Sequence, residues 1–547
     1  MTVAIKSLAA MTTRAVYDKL AALNADIATL AALSSVLGWD QQTMMPPKGA
    51  DVRTRQSVFI DTVLHERASS KELGDILHEL QARQKSGDLE KELNEYELAN
   101  IRIGLRDYKQ IVLKPVELAQ ARSRLSNEAP IAWTAARKES DFNKLAPFLK
   151  DWIKISRDWA QIKIKAGTAP EASRIHNEAL SLLTTEEDKK KCFKGYYQAL
   201  MDDYEIGFKQ STLVELFDGL KEKLVPLIAK IKAKGQPHDD SCITGNFDIE
   251  RQTKFSHRIA TELGFDTDAG RLDVSAHPMT TGTHPNDVRM TTRYTENLFS
   301  EGITSTIHET GHSLYEQGRN KKYDGQPVSQ AMSLGIHESQ SLLWERMVGL
   351  GRPFWTYALP VLKEMFPEKE NVQSATVENI YNAFNRVEPG FIRVEADEVT
   401  YHLHVILRYE LEVALIEGEL EVEDIPKAWN QKMKDYLGVE VTEDRVGCLQ
   451  DIHWSVGLWG YFPTYSLGAI NAVQIFNAAK KQIPDLEAHL AKGDFHILKE
   501  WLNKNIHEKG SLYQSGEELI TVVTGEKLNV NYFINHLVDK YTAIYDL

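Results

Sequence analysis

The chain has 547 residues, 42% of them hydrophobic and 26% charged, with a formal net charge of −14. This composition fits a globular protein with an ample core, and the acidic balance, unbroken by any basic stripe, excludes a nucleic-acid footprint. Cys192, Cys242 and Cys448 are too few and too scattered for a disulfide framework, which favours a reducing compartment.

Residues 1–20 lack the charged start and clean apolar stretch of a secretory leader. No unbroken run of 18 or more apolar residues occurs, so no membrane span is expected and the cytoplasm is the expected location. Leu20, Leu23, Ile27, Leu30 and Leu33 recur at three- and four-residue steps, the period of an amphipathic helix. Similar patterns run through residues 88–126 and 141–164. A loop at residues 235–240, with Gly235 and Pro237, breaks this rhythm first. A second break spans 272–294, where His277-Pro278, Gly282 and His284-Pro285 interrupt the helices. At its end Val288 to Tyr294 reads as a short strand. An exposed strand edge there could pair with an extended peptide; a small structural hairpin would serve equally well. No linker divides the chain. The expected fold is mainly α, one large helical domain over 1–547 with a small β-sheet. Its N-terminal helical half covers 1–270, and the half at 271–547 carries the signature that follows.

His308-Glu309-Thr310-Gly311-His312 places two histidines four residues apart. On a helix they stack on one face and can converge on one ion. Ile303, Ile307 and Leu314 supply an apolar stripe with Gly311 in register, and Gly318 offers a stop. Glu309 is rotated about 100° from His308, off the ion but within reach of a water beside it as general base. Catalytic zinc takes three protein ligands and keeps one position open. Six residues past His312 stands Gly318, not a histidine, so the metzincin pattern fails. A carboxylate is then the expected third ligand. Glu316 lies one turn beyond His312, and three ligands in a row along one helix cannot surround an ion. After the Gly325/Pro327 loop a second helix can return antiparallel, bringing Glu338 and Glu345. These two are seven apart and share a face, so spacing hardly separates them.

The motifs now resemble a known family, the M32 metallocarboxypeptidases of the carboxypeptidase Taq type. The similar blocks are Trp39-Asp40-Gln41 with Met45-Pro46, His277-Pro278, and Asp287-Val288-Arg289-Met290-Thr291. They continue with His308 to His312, His337-Glu338-Ser339-Gln340, Arg393-Val394-Glu395-Ala396-Asp397, and Gly447-Cys448-Leu449-Gln450-Asp451-Ile452-His453-Trp454. One departure is Met279, where the family usually has Phe after His-Pro. The resemblance implies that Glu338 completes the metal site with His308 and His312. It also implies a helical fold with a long groove, like neurolysin and angiotensin-converting enzyme, and a homodimer.

A carboxypeptidase must hold a free C-terminal carboxylate, and the planar fork of an arginine suits it. Beyond Gly390 the periodicity predicts a helix with Val399, Leu403, Ile406 and Val413 as its core stripe. Arg393, Asp397, Tyr401, His404 and Arg408 then repeat along another face, which by period alone reads as solvated. The resemblance assigns the carboxylate to Arg393, with Arg289 and Arg408 as competitors. The run from His453 to Tyr465 is rich in aromatics and donors, a composition that by itself means core packing. The resemblance has His453 and Tyr465 lining the site, Tyr465 rather than Tyr461 stabilising the oxyanion. The expected activity is release of C-terminal amino acids from peptides with a free C-terminus, by zinc-activated water with Glu309 as base. One Zn²⁺ per subunit is expected, though Co²⁺ or Mn²⁺ can occupy the same donors. An endo-acting zinc oligopeptidase and a catalytically silent, metal-stabilised scaffold stand as alternatives. Glu309 speaks against the scaffold, since a structural site needs no base.

Overall fold

Helices carry most of the chain in this computed structural model, which describes residues 8–235 and 238–547. Gln236 and Pro237 of the expected loop, and residues 1–7 of the leader reading, lie outside the described residues. The Leu20 stripe forms a long helix, Thr13–Thr43, opened by the Thr12 side chain accepting from Ala15 N. The next two patterns become Glu95–Leu113 with Val116–Glu139, and Ala146–Lys165. One large core runs from Leu118 to Tyr545 and so draws on both halves of the chain. A smaller cluster, from Leu8 to Leu105, packs the first helices together. Buried polar bonds join the two regions: Asn24 Nδ2 donates to Gln326 Oε1 at 3.2 Å, and Val328 N donates to Asn100 Oδ1 at 2.8 Å.

The Leu20 stripe does not stay buried. Leu20 is in the core but Leu33 is half exposed, and the neighbouring helix Ala50–Ala68 buries no residue, leaving Phe59 67% exposed. By length and composition alone Thr13–Thr43 is apolar enough to cross a bilayer. The helix alternates Ala and Leu with Ser, Thr and Asn, so it is apolar on average without an unbroken run.

Three short strands, β1 (Gly270–Val274), β2 (Met279–His284) and β3 (Asp287–Thr292), form a sheet in the order β1-β3-β2. β1 lies parallel and β2 antiparallel to β3. The predicted strand therefore exists, but it is the middle one and has no edge to offer a peptide. The segment after Gly390 also differs from the periodic reading. The helix starts only at Tyr401 and ends at Ile416; Arg393–Glu395 is a separate short turn. Asp397 Oδ1 caps the turn that leads into this helix by accepting from Val399 N and Thr400 N, both at 2.9 Å. Arg393 and Asp397 are thus not on the helix face with Arg408. That face is not solvated either, since His402, His404, Arg408 and Glu412 are wholly buried.

Candidate active site

His308 and His312 lie on the helix Phe299–Gln317, whose buried Ile303, Ile307 and Leu314 fix its orientation in the core. Glu338 lies on Leu334–Leu342, a helix opened by Ser333 accepting from Ile336 N and by Glu205 accepting from Gly335 N. The two helices cross where Gly311 stands. A Cβ there would sit 2.5 Å from Gln340 O and 2.6 Å from Ser341 Cα, so only glycine permits the approach. From the opposite side Gly468, on Pro463–Gln482, makes room for Glu338, whose Cγ a Cβ would meet at 2.6 Å.

This packing brings donor atoms of His308, His312 and Glu338 within 4.8 Å of one another. Glu338 Oε2 is 3.4 Å from His312 Nε2 and 4.0 Å from His308 Nε2. Metal–ligand bonds of about 2.0–2.2 Å at tetrahedral angles need donors about 3.3–3.6 Å apart, so the set fits one small divalent ion with slight closure. Both histidines present Nε2 because Nδ1 is engaged elsewhere. His308 Nδ1 donates to Glu345 Oε2 at 2.7 Å, a carboxylate that orients the ring and strengthens its free nitrogen as a ligand. His312 Nδ1 is 2.6 Å from His337 Nδ1, and His337 Nε2 is 2.9 Å from Glu316 Oε1. Arg319 Nη1 donates to Glu316 Oε2 at 2.6 Å. With His312 ligating through Nε2, its Nδ1–H points at His337, whose Nε2–H then points at Glu316.

The electrostatics match. Burial lowers His308, but the bond to Glu345 and the charges of Glu338 and Glu309 outweigh it and lift the ring to about 9. Burial raises Glu338, yet His312 and His308 pull it down to about 2. Burial lowers His312, with His337 and His308 adding to the fall. Three carboxylates thus stabilise positive charge at this centre, which is what a divalent ion carries. Glu309 faces β2, and Thr280 Oγ1 donates to its Oε2 at 2.6 Å. The sheet therefore serves the site by holding this carboxylate.

A second cluster lies around Asp451. Arg393 Nε and Nη2 both donate to its Oδ1, at 3.1 and 2.9 Å, and Arg408 Nε donates to Oδ2 at 2.6 Å. Burial raises Asp451, but the two guanidinium groups hold it far below the usual carboxylate range. Two cations on one anion leave this buried cluster with a positive charge. His453 Nε2 is 3.1 Å from Tyr465 Oη, and burial pushes its ring down to about 4, so it is neutral at physiological pH. Tyr461 packs edge-on to Tyr465 at 5.3 Å. Beneath the loop that carries these groups, Glu412 accepts from Trp454 Nε1 at 2.9 Å and Gly460 N at 3.1 Å. Gly460 has φ +89°, and a Cβ there would lie 2.9 Å from Met201 N, so the loop closes tightly only with glycine.

Comparison with known proteins settles the family. The model of the carboxypeptidase Taq (M32) metallopeptidases matches residues 19–171 and 174–541. The chain belongs to the M32 family. It is 37% identical to thermostable carboxypeptidase 1 of Thermus thermophilus, over 98% of this chain and 100% of that one. It is 36% identical to carboxypeptidase 1 of Bacillus subtilis, over 93% and 95%. Among solved structures, the M32 carboxypeptidase of Deinococcus radiodurans R1 superposes with a TM-score of 0.87 at 31% identity, covering 97% of this chain and 100% of that one. Trypanosoma cruzi metallocarboxypeptidase 1 does so with 0.86 at 34%, covering 96% and 99%. The protein is a metal-dependent carboxypeptidase with the mainly α fold of that family. Neither the endo-acting nor the silent-scaffold alternative is favoured.

For this M32 carboxypeptidase the structure brings His308, Glu309, His312 and Glu338 together at one point, and Arg393, His453 and Tyr465 at another. Arg289 joins neither group. Its fork grips Asp287 at 2.8 and 2.9 Å and its guanidinium lies over Trp39, 4.8 Å from the ring centroid. Arg271 stacks on the same Trp39 at 5.1 Å, so the two arginines fasten Thr13–Thr43 to the sheet. Sequence reasoning missed His337, Thr280 and Tyr401 as site residues, and weighed Glu345 and Glu316 only as ligands. His337 stood inside a quoted motif, but nothing in its spacing said that it would face His312. Glu345 reaches His308 because the helix widens into a π turn over Leu343–Gly349, which a regular period does not foresee.

Proposed function

We propose that His308, His312 and Glu338 hold one catalytic Zn²⁺ per subunit, and that this carboxypeptidase removes C-terminal residues with Glu309 as its base. The observation that carries the reading is the convergence of the three ligands beside a carboxylate fixed by Thr280. A divalent ion bound there supplies Lewis-acid polarisation of a water and of the scissile carbonyl. Glu309 takes the water's proton and passes it to the departing amine. Tyr465, braced by His453, donates to the oxyanion as it forms. The net positive cluster of Arg393, Asp451 and Arg408 draws the terminal carboxylate, with Arg393 on the side of Tyr401 and Tyr465. Arg289 braces Trp39 and pairs with Asp287. Two nitrogens and a carboxylate oxygen favour zinc, and Co²⁺ or Mn²⁺ can replace it.

The test combines metal and substrate. Chelated protein is reloaded with Zn²⁺, Co²⁺ or Mn²⁺ and given a peptide with a free C-terminus and its C-terminal amide. One ion per chain and cleavage of the acid alone are expected. Restoration by all three ions without stoichiometric binding would overturn the ligand assignment.

We further propose a cytoplasmic homodimer acting on peptides, with no nucleic-acid or membrane partner. The buried, unpaired cysteines support that location. The uncovered apolar residues of Ala50–Ala68 support a second copy, because a helix with nothing buried gains little from folding alone. Light scattering and cell fractionation test the two points.

A further inference from the structure

Arg393 is 4% exposed, and each nitrogen of its guanidinium already has a partner: Nε and Nη2 donate to Asp451, and Nη1 donates to Tyr401 Oη at 2.9 Å. The fork that would meet a carboxylate is closed on Asp451. The tyrosine in front of it is not. A tyrosine hydroxyl has one proton and two lone pairs, whereas an arginine can only donate. Accepting from Arg393 therefore leaves the Tyr401 proton to be given away, and among the described residues no hydrogen bond uses it.

The position of Tyr401 joins the two halves of the site. Its ring has Arg393 Cζ 5.7 Å from the centroid and Arg346 Cζ 5.3 Å, and it stands edge-on to Tyr465 at 6.1 Å. Arg346 is the residue after Glu345, the partner of His308, and it is itself held by a 3.2 Å contact from Nη1 to His402 Nε2. Tyr465 differs in one respect: its hydroxyl is already 3.1 Å from His453. Of the two hydroxyls, that of Tyr401 is the one that accepts from a guanidinium, whereas that of Tyr465 pairs with His453.

We propose that Tyr401 is a substrate-binding residue whose hydroxyl donates to the terminal carboxylate of the peptide, with Arg393 acting through it as a positioning residue. The buried positive charge attracts the carboxylate at long range. The hydroxyl, polarised by the hydrogen bond it accepts, fixes the carboxylate at short range. A C-terminal amide can accept the same bond but lacks the charge, so the arrangement discriminates acid from amide. The inference rests on reading the Asp451 cluster as the carboxylate end of the site.

The experiment uses the metal-loaded enzyme and its Tyr401→Phe variant, which removes one oxygen and keeps the ring. An N-blocked dipeptide is the substrate. A non-cleavable analogue, as free acid and as amide, serves as inhibitor. Losing a hydrogen bond to a charged group present in both ground and transition states should raise KM about 10- to 100-fold with kcat little changed. The inhibitor's preference for acid over amide should shrink by the same factor, while metal content and Tm stay at wild-type values. An unchanged KM, or equal weakening of acid and amide, would overturn the role. Combining Tyr401→Phe with Arg393→Met gives a second measurement. If Arg393 acts through Tyr401, the double variant is no worse than the worse single; multiplied effects would mean that Arg393 touches the substrate itself. No acid preference in the wild type would instead reject the reading of the Asp451 cluster.

Discussion

At the proposed metal end of the site, His308, His312 and Glu338 ride on two regular helices, whereas at the proposed carboxylate end Arg393, Asp451, His453 and Tyr401 come from turns, a loop and a helix start. The metal ligands are oriented by partners on their own two helices and the turns just beyond them: Glu345, His337, Glu316 and Arg319. The groups of the other end are fixed by contacts between segments tens of residues apart, such as Arg393 with Asp451 and Glu412 with Gly460. Regular backbone draws the first constellation from two successive helices, with cross-helix partners 21 to 37 residues apart. Buried charge makes the second one depend on the whole fold, because each ion there is stable only while its partners remain.

Breaking each end should therefore give different failures. The largest effect is expected from Glu309→Gln, which should keep its metal and lose about 10²–10⁴ in turnover. Substantial activity in fully loaded variant protein would remove Glu309 as the base. At the other end, Asp451→Asn leaves two buried guanidinium groups short of their counter-charge. Unfolding should become easier by about 3–5 kcal/mol, read as a lower denaturation midpoint even with metal bound. A normal midpoint would mean that the cluster relaxes or hydrates.

Smaller is the expected cost of Glu345→Gln, which keeps an acceptor for His308 Nδ1 but not the charge. Metal affinity should fall about 10- to 100-fold by competition with a chelator, with little change in the stability of the metal-free protein. A loss of stability without a loss of affinity would erase the contrast between the ends.

The smallest effect concerns pH, where the two ends share a device. Glu205, under the Glu338 helix, and Glu412, under the catalytic loop, are each raised by burial to about 7. Both lie above the ordinary value of 4.5. Between those values the folded protein holds the proton longer than the unfolded chain, so stability falls as pH rises from about 4.5 to 7. Glu205→Gln should flatten part of that fall, comparing thermal midpoints at pH 5 and 7.5. An unaltered profile would mean that Glu205 ionises freely.

Much of the metal end was legible because i,i+4 histidines on an apolar-striped helix can face only one way. Glu338 was separable from Glu345 only by resemblance, since seven residues return to one face of a helix; the π turn that gives them different tasks follows from packing. β3 was found from its β-favouring residues, but its central place required β1 to arrive in parallel from a segment that carries no sign of its partner. The face read as solvated from period alone proved buried, because polar residues at helical spacing look alike whether water or Asp451 lies opposite them.

The sequence by itself determined that this chain is helical, that His308 and His312 can share an ion with Glu309 beside it, and, through its motifs, which family it resembles. Tertiary structure decided what orients those ligands, that Arg289 braces Trp39 and that Arg393 faces Asp451 and Tyr401. The physical reason is range. Helical periodicity acts over a few residues of backbone, whereas a buried charge is placed by whichever distant segment the core brings against it.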